Sequence, residues 1–433
     1  MNEFDALRAA FEVPLAEAVF SRRSRRVGLG MRIPDGPLAY ESPHAPVALS
    51  ETEEAFLVWL GTGVTGLALA DLPTDGISWM HGFSGRSWPC SCNSHSTELF
   101  FTNDTGLHLV RLGEETPDDV AVFAGRSQND VMDEMVARFR AATTRLEDGR
   151  ADLPRGEPGL FGFNAWNVNQ PGTTLFVPVT NTTIEYMTLL FIYFDEINRF
   201  SVVDELSGGR TCGLDRWVDS GRLGAVELSL MDLELRVLTT LNVEGAFICQ
   251  NMNLAAQALG LGGWGFTGFL PHHVLGVDPA HRGLGFRFVT PEHTPRHASK
   301  PVPVGRDATL EALCPPYVAD MGEAVDRYLE TWSAASGKAS AFQKAEDVMR
   351  ARPFPTPETI EIVKAFCTYV HETYGRFPAF IDPMFVRLVF QAHHLDVDFY
   401  DRHYRGDPLT DRHREHLARW HGAKAGASDT EPT

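Results

Sequence analysis

An arginine-rich hexapeptide near the amino terminus could do chemistry on phosphate. Residues 21–26 read SRRSRR, in a chain that has 38 basic and 57 acidic side chains. Guanidinium groups and hydroxyls make charge-assisted hydrogen bonds to phosphate oxygens, and the glycines that follow at 28 and 30 would let backbone approach as well. The hexapeptide therefore indicates a phosphate site or, equally, a solvated basic patch that pairs with surface carboxylates.

A polar loop at residues 90–97 is a second candidate. Its sequence, CSCNSHST, offers thiols, hydroxyls, an amide and the imidazole of His95 immediately before the strand-like run Glu98 to Thr102. Turn residues at 103–106 and a returning strand at 107–111 predict a hairpin. The loop is a ligand edge at the entry to this hairpin, or its side chains simply satisfy loop backbone groups.

Titratable side chains concentrate in a third segment, QAHHLDVDFYDRHY at residues 391–404. On a helix His394, Asp398 and Asp401 would share one face, which suits an iron or zinc ion or, more simply, salt-bridged pairs. The six cysteines match no zinc spacing. We therefore predict no metal site, and expect the segment to pack over a ligand site or a second subunit. One of its histidines could donate a proton, because an imidazole titrates near neutral pH.

The element expected to position these groups is a buried helix that ends in glycines. Ile248, Met252, Ala255 and Leu259 recur at helical spacing, and Gly260 predicts the cap because glycine accepts left-handed backbone. Residues 262–268 then read GGWGFTG. We interpret them as a glycine-rich loop on which a flat ligand could lie, or as a tight connection to a strand.

Other segments predict the surrounding framework. Ser50 and Glu53 form a capping-box pattern before an apolar helix. Asparagines at 164, 167 and 169 lie in a loop before the central strands, where turn formation is the simpler interpretation. Helices are predicted at residues 3–20 with a break at Pro14, and at 130–146, 228–241, 321–332 and 360–374, and strands at 174–180 and 187–194.

Composition limits the possible partners. A formal net charge of −19 disfavours nucleic acid and anionic membrane surfaces, because both would repel the chain. No apolar run has the length needed to span a bilayer, and the first residues lack a basic segment followed by an apolar one. We therefore expect a cytoplasmic protein that acts on small molecules.

Three separated pieces resemble one family in the order that the family has them. The chain resembles the nitroreductase-like flavoproteins, and most closely the branch with the azoline-oxidising dehydrogenases. The hexapeptide looks like that family's R-x-S-x-K/R phosphate motif, and the resemblance implies that Arg22, Ser24 and Arg26 hold the phosphate of FMN. The polar loop stands where the branch has a Pro-Ser-x-Gly segment, which places Ser91 and Asn93 near the flavin. Here Cys90 replaces the proline and Asn93 the glycine.

The third piece is QNMNLAAQALGLG at residues 250–262, which is similar to the family's core helix. The resemblance implies that Gly265, Thr267 and Gly268 contact the flavin edge, with Thr267 in place of the acidic residue that many members have. Arg287, Arg296 and Lys300 are alternatives for a further phosphate-binding cation, of which Arg287 is assigned.

Together these observations predict an α+β protein of nitroreductase-like fold, with a mainly antiparallel central sheet flanked by helices. Residues 1–305 would form the flavin-binding domain, 306–422 a helical C-terminal extension and 423–433 a disordered tail. The expected activity is that of an FMN-dependent oxidoreductase, a homodimer, acting on a small-molecule or peptide-derived substrate with NAD(P)H as a candidate reductant. His95 and His394 are the candidate catalytic side chains. The alternative is a flavin-free relative that binds a ligand or a partner protein.

Overall fold

The structure is a computed structural model in which helices include more residues than strands do. It describes residues 3–68, 84–113, 125–292, 295, 298–335, 343–344, 346–347 and 354–421. The helices are α1 Glu3–Phe11, α2 Leu15–Ser21, α3 Glu51–Thr62, α4 Gln128–Ala142, α5 Thr182–Tyr193, α6 Asp215–Asp219, α7 Leu230–Leu259, α8 Pro271–Leu275, α9 Met321–Ala335, α10 Pro357–Tyr374, α11 Val397–His403 and α12 Asp411–Trp420.

The strands are mostly short. They are β1 Arg32–Ile33, β2 Tyr40–Glu41, β3 Val64–Leu67, β4 Ser84–Arg86, β5 Thr97–Thr102, β6 Gly106–Val110, β7 Thr143–Asp148, β8 Thr174–Asn181, β9 Phe200–Val203, β10 Val226–Ser229, β11 Gly262–Phe266, β12 Arg287–Val289, β13 Val302–Arg306, β14 Leu310–Glu311, β15 Met384–Phe385 and β16 Val389–His393.

Seven of these strands form one central sheet in which each pairing is antiparallel. Its order is β11-β16-β8-β5-β6-β7, and β15 pairs with the far end of β8. The predicted α+β fold, with a mainly antiparallel central sheet flanked by helices, is confirmed, and it is consistent with the nitroreductase-like fold that the resemblance implies.

Both faces of the sheet are buried, because alternate residues of β8 enter different cores. Leu175 and Val177 pack in the larger core, which includes side chains of α5, α9 and α10. Phe176 packs in the second core with side chains of α1, α3 and α4. The 30-residue helix α7 contributes Val237 to the first core and Met252 to the second, so this one helix runs past both faces.

Several local predictions are confirmed. Ser50 accepts a hydrogen bond from the backbone N–H of Glu53, whose carboxylate in turn accepts one from Ser50 N–H, so the capping box is complete. The hairpin of β5 and β6 forms as expected. Gly260 ends α7 with a φ of 88°. The adjoining helix predicted at 228–241 belongs to the same continuous helix from Leu230 onward, whereas Leu228 and Ser229 end β10.

Two secondary-structure predictions are wrong. Residues 187–194 were predicted as a strand but belong to helix α5 and its C-terminal cap. The helix is buried on nearly all sides, so its sequence has no polar stripe that would show the helical period. Leu146, predicted as the end of a helix, lies in β7, since the helix ends at Ala142.

The glycine-rich stretch is a strand and not a loop. Residues 262–266 form β11 at one edge of the sheet and pair with β16. The glycines fit there because Gly262 and Gly263 face the rings of His393 and Phe390, where a Cβ would come within about 2.7 Å of ring atoms.

The chain after residue 306 is not helical throughout. It contributes β15 and β16 to the central sheet, and β13 runs across the predicted division at 305/306. The division into two domains stays a prediction, and the predicted tail lies outside the described residues. Among the described helices, none is long and apolar enough to cross a membrane.

Candidate functional site

The arginine hexapeptide leaves α2 as an extended segment, so its side chains alternate in direction. Arg25 is buried and bonds the side-chain oxygen of Gln257 at 3.0 Å and the carbonyl of Pro408 at 2.9 Å. Arg22 is half-buried and Ser24 is exposed. Arg25 therefore has a structural role, while the motif positions 22 and 24 keep access to solvent.

Arg26 is held by aromatic rings at the edge of the sheet. Its guanidinium lies 4.2 Å from the ring centre of Trp264 on β11 and 5.5 Å from that of Trp166. One terminal nitrogen donates to the Asn164 Oδ1 at 2.8 Å. Burial lowers the pKa of Arg26, since a partly desolvated cation is less stable without an anion nearby.

Unused hydrogen-bond donors surround this arginine. Arg26 Nε, Asn164 Nδ2 and Trp264 Nε1 are buried, and each has no partner among the described residues. A Cβ at Gly268 would lie 2.6 Å from Asn164 Nδ2, so only glycine leaves room beside this amide. We call Arg26, Asn164, Trp166 and Trp264 the arginine cluster. An anionic group with several acceptor oxygens would satisfy its donors.

The polar loop at 90–97 has an unusual backbone. Cys92, Asn93 and His95 all have positive φ, between 43° and 57°. Asparagine tolerates this conformation better than most residues, so Asn93 can adopt it at little cost. The His95 Nε2 lies 2.6 Å from Asn93 Oδ1 and 3.1 Å from the carbonyl of Ser84. These contacts hold the imidazole against its own loop.

Two buried glutamates, which no sequence motif singled out, lie beneath the loop. Glu244 accepts hydrogen bonds from Cys90 Sγ at 2.8 Å and from Thr97 Oγ1 at 2.5 Å, and Glu185 accepts one from Ser94 at 2.6 Å. Burial, with a smaller contribution from the nearby Glu244, raises the pKa of Glu185 to about 8. At neutral pH Glu185 is therefore mostly protonated.

The Cys90 thiol is not a nucleophile in this environment. Burial raises its pKa well above the usual range, and the Glu244 carboxyl that it contacts adds to the effect. We refer to Glu185, Glu244 and their partners Cys90, Ser94 and Thr97 as the carboxyl cluster.

A cleft of about 340 Å³ opens beside this cluster. Thr97 of the carboxyl cluster bonds Thr180 at 2.8 Å, and Thr180 lines the cleft together with Thr267. Buried Asn242 Oδ1, also in the lining, has no partner among the described residues. The exposed Arg387 adds a positive charge, while Leu241 and Leu388 supply apolar wall.

Strand β11 joins the cleft to the arginine cluster. The ring of Trp264 in this strand packs against the guanidinium of Arg26. Thr267 is the residue directly after the strand, and it lines the cleft. The structure thus brings the arginine hexapeptide and the glycine-rich stretch together through the contact of Arg26 with Trp264. The asparagine loop, where turn formation was the simpler interpretation, supplies Asn164.

Two predicted residues lie elsewhere. Arg287 is exposed on β12, where it contacts Asp307 at 4.0 Å and Tyr317, so its role with phosphate stays a prediction. The alternative Arg296 lies outside the described residues. His394 is buried beside Glu53, His416 and His421, none of which lines the cleft.

The predicted alignment of His394 with Asp398 and Asp401 is wrong. The Asp396 side chain caps a new helix at Val397, so His394 precedes that helix instead of sharing its face. Asp398 contacts His44, and Asp401 pairs with Arg414.

Comparisons with known proteins give only distant likenesses, and these are to solved structures. No protein-family model and no curated protein matches the sequence. Among solved structures, the chain is similar to the crystal structure of a "putative nitroreductase" from Ralstonia eutropha, with 12% identity over 61% of this chain and 74% of that one, and a TM-score of 0.28. At this level the activity and the ligand must be argued from the residues of this chain.

Proposed function

We propose that the protein is an FMN-dependent oxidoreductase that acts on a small-molecule or peptide-derived substrate. The observation that carries the proposal is the arginine cluster, where Arg26, Asn164 and Trp264 leave three buried donors without partners among the described residues. In a chain of net charge −19, such a group of donors is suited to a phosphate.

The residues present fit FMN at its phosphate end. Arg26 and Asn164 would bind the phosphate, with Arg22 and Ser24 on the accessible side of the extended segment. Hydride or electron transfer is the chemistry that a bound flavin supplies, while the protein binds and orients the reactants. Thr267 and Gly268 connect this end to the cleft and would lie against the ring.

The cleft favours a substrate with an apolar body and a polar end. Leu241, Ala246 and Leu388 would contact the apolar part, and Asn242 would accept a hydrogen bond. Arg387 would attract a carboxylate or an anionic reductant such as NAD(P)H. A peptide-derived azoline ring, the kind of substrate that the azoline-oxidising branch implies, would meet this description.

The phosphate claim is tested by comparing FMN with riboflavin, which lacks the phosphate. We expect the wild type to bind FMN more tightly than riboflavin. Arg26→Ala should weaken FMN binding by a factor of about ten or more, because one charge-assisted contact to the phosphate is removed, while the affinity for riboflavin changes little. The double variant with Arg22→Ala should lose several kcal/mol of FMN affinity, about twice the single effect. Fluorescence titration measures both ligands.

Arg23→Ala is the matched control. Arg23 is exposed in the same segment and donates to the carbonyls of Phe20 and Arg22. Unchanged FMN affinity in a folded Arg26→Ala variant, or an equal loss for both ligands, contradicts the proposal. A wild type that remains colourless with added FMN favours the flavin-free binding protein instead.

A further inference from the structure

A cluster of three histidines and one glutamate is buried where the N-terminus of α3, the end of β16 and the last helix α12 meet. It consists of Glu53, His394, His416 and His421, and we call it the histidine cluster. One potential ligand atom from each side chain lies within 4.8 Å of the others. Neither the arginine cluster nor the carboxyl cluster shares a residue with it.

Backbone contacts fix the proton on two of the imidazoles. His416 Nδ1 lies 2.7 Å from the carbonyl of Leu259, and His394 Nε2 lies 3.2 Å from that of Ala48. A carbonyl only accepts, so each of these nitrogens carries the hydrogen. The other nitrogens, His416 Nε2 and His394 Nδ1, are 3.1 Å apart and in the neutral rings both present lone pairs. Two facing lone pairs repel unless a cation or a proton lies between them.

The carboxylate of Glu53 completes the arrangement. Its Oε1 lies 2.8 Å from His416 Nε2 yet has no aligned hydrogen-bond donor among the described residues. Its Oε2 lies 3.2 Å from His421 Nε2. Glu53 is fully buried, and a buried carboxylate is costly without a counter-charge.

We propose that the histidine cluster binds a divalent transition-metal ion, with Zn²⁺ the best fit to three imidazoles and one carboxylate. Zinc bonds of about 2.0–2.1 Å in a tetrahedron separate neighbouring ligand atoms by roughly 3.3 Å. His416 Nε2 lies 3.1 Å from His394 Nδ1 and 2.8 Å from Glu53 Oε1, and His421 Nε2 lies 3.2 Å from the other carboxylate oxygen, Glu53 Oε2, so these separations are near this value or somewhat shorter. The N–H bonds of His394 and His416 to carbonyls are the outer contacts that orient metal-binding imidazoles.

The ion would join distant parts of the chain. Glu53 lies in the first turn of α3, whereas His416 and His421 lie more than 360 positions later, within α12 and just beyond its end. Four protein ligands in a closed site are typical of structural zinc. His421 is 18% exposed and provides the route by which the ion enters. The bound ion therefore fastens the last helix to the core.

Metal analysis of the purified full-length chain tests the proposal directly. We expect about one Zn²⁺ per chain, retained against a chromophoric chelator, and a higher Tm when Zn²⁺ is returned to EDTA-treated protein. Replacement by Co²⁺ should give the intense visible bands of tetrahedral coordination.

His416→Gln and His394→Gln should abolish retention, and His421→Gln, at the most exposed of the four positions, should weaken it at least tenfold while leaving the fold intact. His413→Gln on the same helix is the matched control, because His413 is buried but hydrogen-bonds Thr410. No Tm response to Zn²⁺ in the EDTA-treated wild type overturns the proposal, as does equal retention by the His421 and His413 variants.

Discussion

At the scale of single residues, buried carboxyl groups set the chemistry beneath the polar loop. Glu185 is fully buried, and one of its oxygens accepts a hydrogen bond from Ser94 at 2.6 Å. A neutral carboxyl group is the form that such a site favours, and it keeps a negative charge away from the adjoining cleft.

Glu185 should make the stability of the protein fall as the pH rises. Its folded pKa of about 8 lies above the reference value of 4.5, so its contribution is fully present below pH 4.5 and is lost as the pH rises through 8. At roughly 1.4 kcal/mol per pKa unit the whole shift is worth about 5 kcal/mol, and Glu185→Gln should remove the part of it that falls between pH 5 and pH 8, about 3.5 kcal/mol. Denaturant unfolding at pH 5, 6.5 and 8 measures it.

Glu227→Gln serves as the control, since Glu227 is exposed on β10. If the Glu185 variant loses stability with pH as steeply as the wild type, the carboxyl group is not held neutral in the fold.

At the scale of elements, the end of α7 is fixed by contact with α12. Gly260 has a φ of 88°, and a Cβ there would lie 2.4 Å from the carbonyl oxygen of Arg412. Glycine is therefore required both by the backbone angle and by the close approach of the last helix.

These two requirements can be separated by mutation. Gly208→Ala places a Cβ at a similar φ of 82° with nothing within 4 Å, so it should cost only the backbone strain of about 1 kcal/mol. Gly260→Ala should cost at least about 1 kcal/mol more, because a backbone atom must move. Unfolding midpoints of the two variants measure the difference. Equal losses of stability would mean that α12 can move away from the added Cβ without cost.

The sequence was most informative where a signal is local. The cap at Gly260 and the box at Ser50 and Glu53 depend on residues close in the chain, and both were predicted. Helix α5 was not, because a helix buried on nearly all sides has no amphipathic period. Strand β11 was not, because glycine is a poor indicator of a strand.

The candidate site divides in the same way. The residue types at 22–26 indicated a phosphate site. No pattern in the neighbouring sequence showed that the ring of Trp264 would pack against Arg26. Glu53 was recognised only as a helix cap. Its three histidine neighbours come from the other end of the chain, and no periodicity relates positions more than 340 residues apart.

At the scale of the whole molecule, the helices α2 and α7 expose apolar side chains that the described part of the chain leaves uncovered. Leu15 is 73% exposed, Phe20 is 80% exposed and Phe247 is 46% exposed, and the two helices pack on each other. A second copy of the chain would bury such a surface, in agreement with the expected homodimer.

We expect the wild type to sediment as a dimer and Phe20→Asp to shift it toward the monomer, because burying a carboxylate in an apolar interface is unfavourable. Ile197→Asp, at a residue 61% exposed after α5, should leave the mass unchanged.

If the flavin lies at the subunit interface, as the resemblance implies, the Phe20 variant should also lose bound FMN at concentrations where it is monomeric. Sedimentation velocity with absorbance detection of protein and flavin follows both quantities in one experiment. A wild type that is monomeric at every concentration contradicts the homodimer, and a monomeric Phe20→Asp that keeps its full FMN content places the flavin within a single subunit.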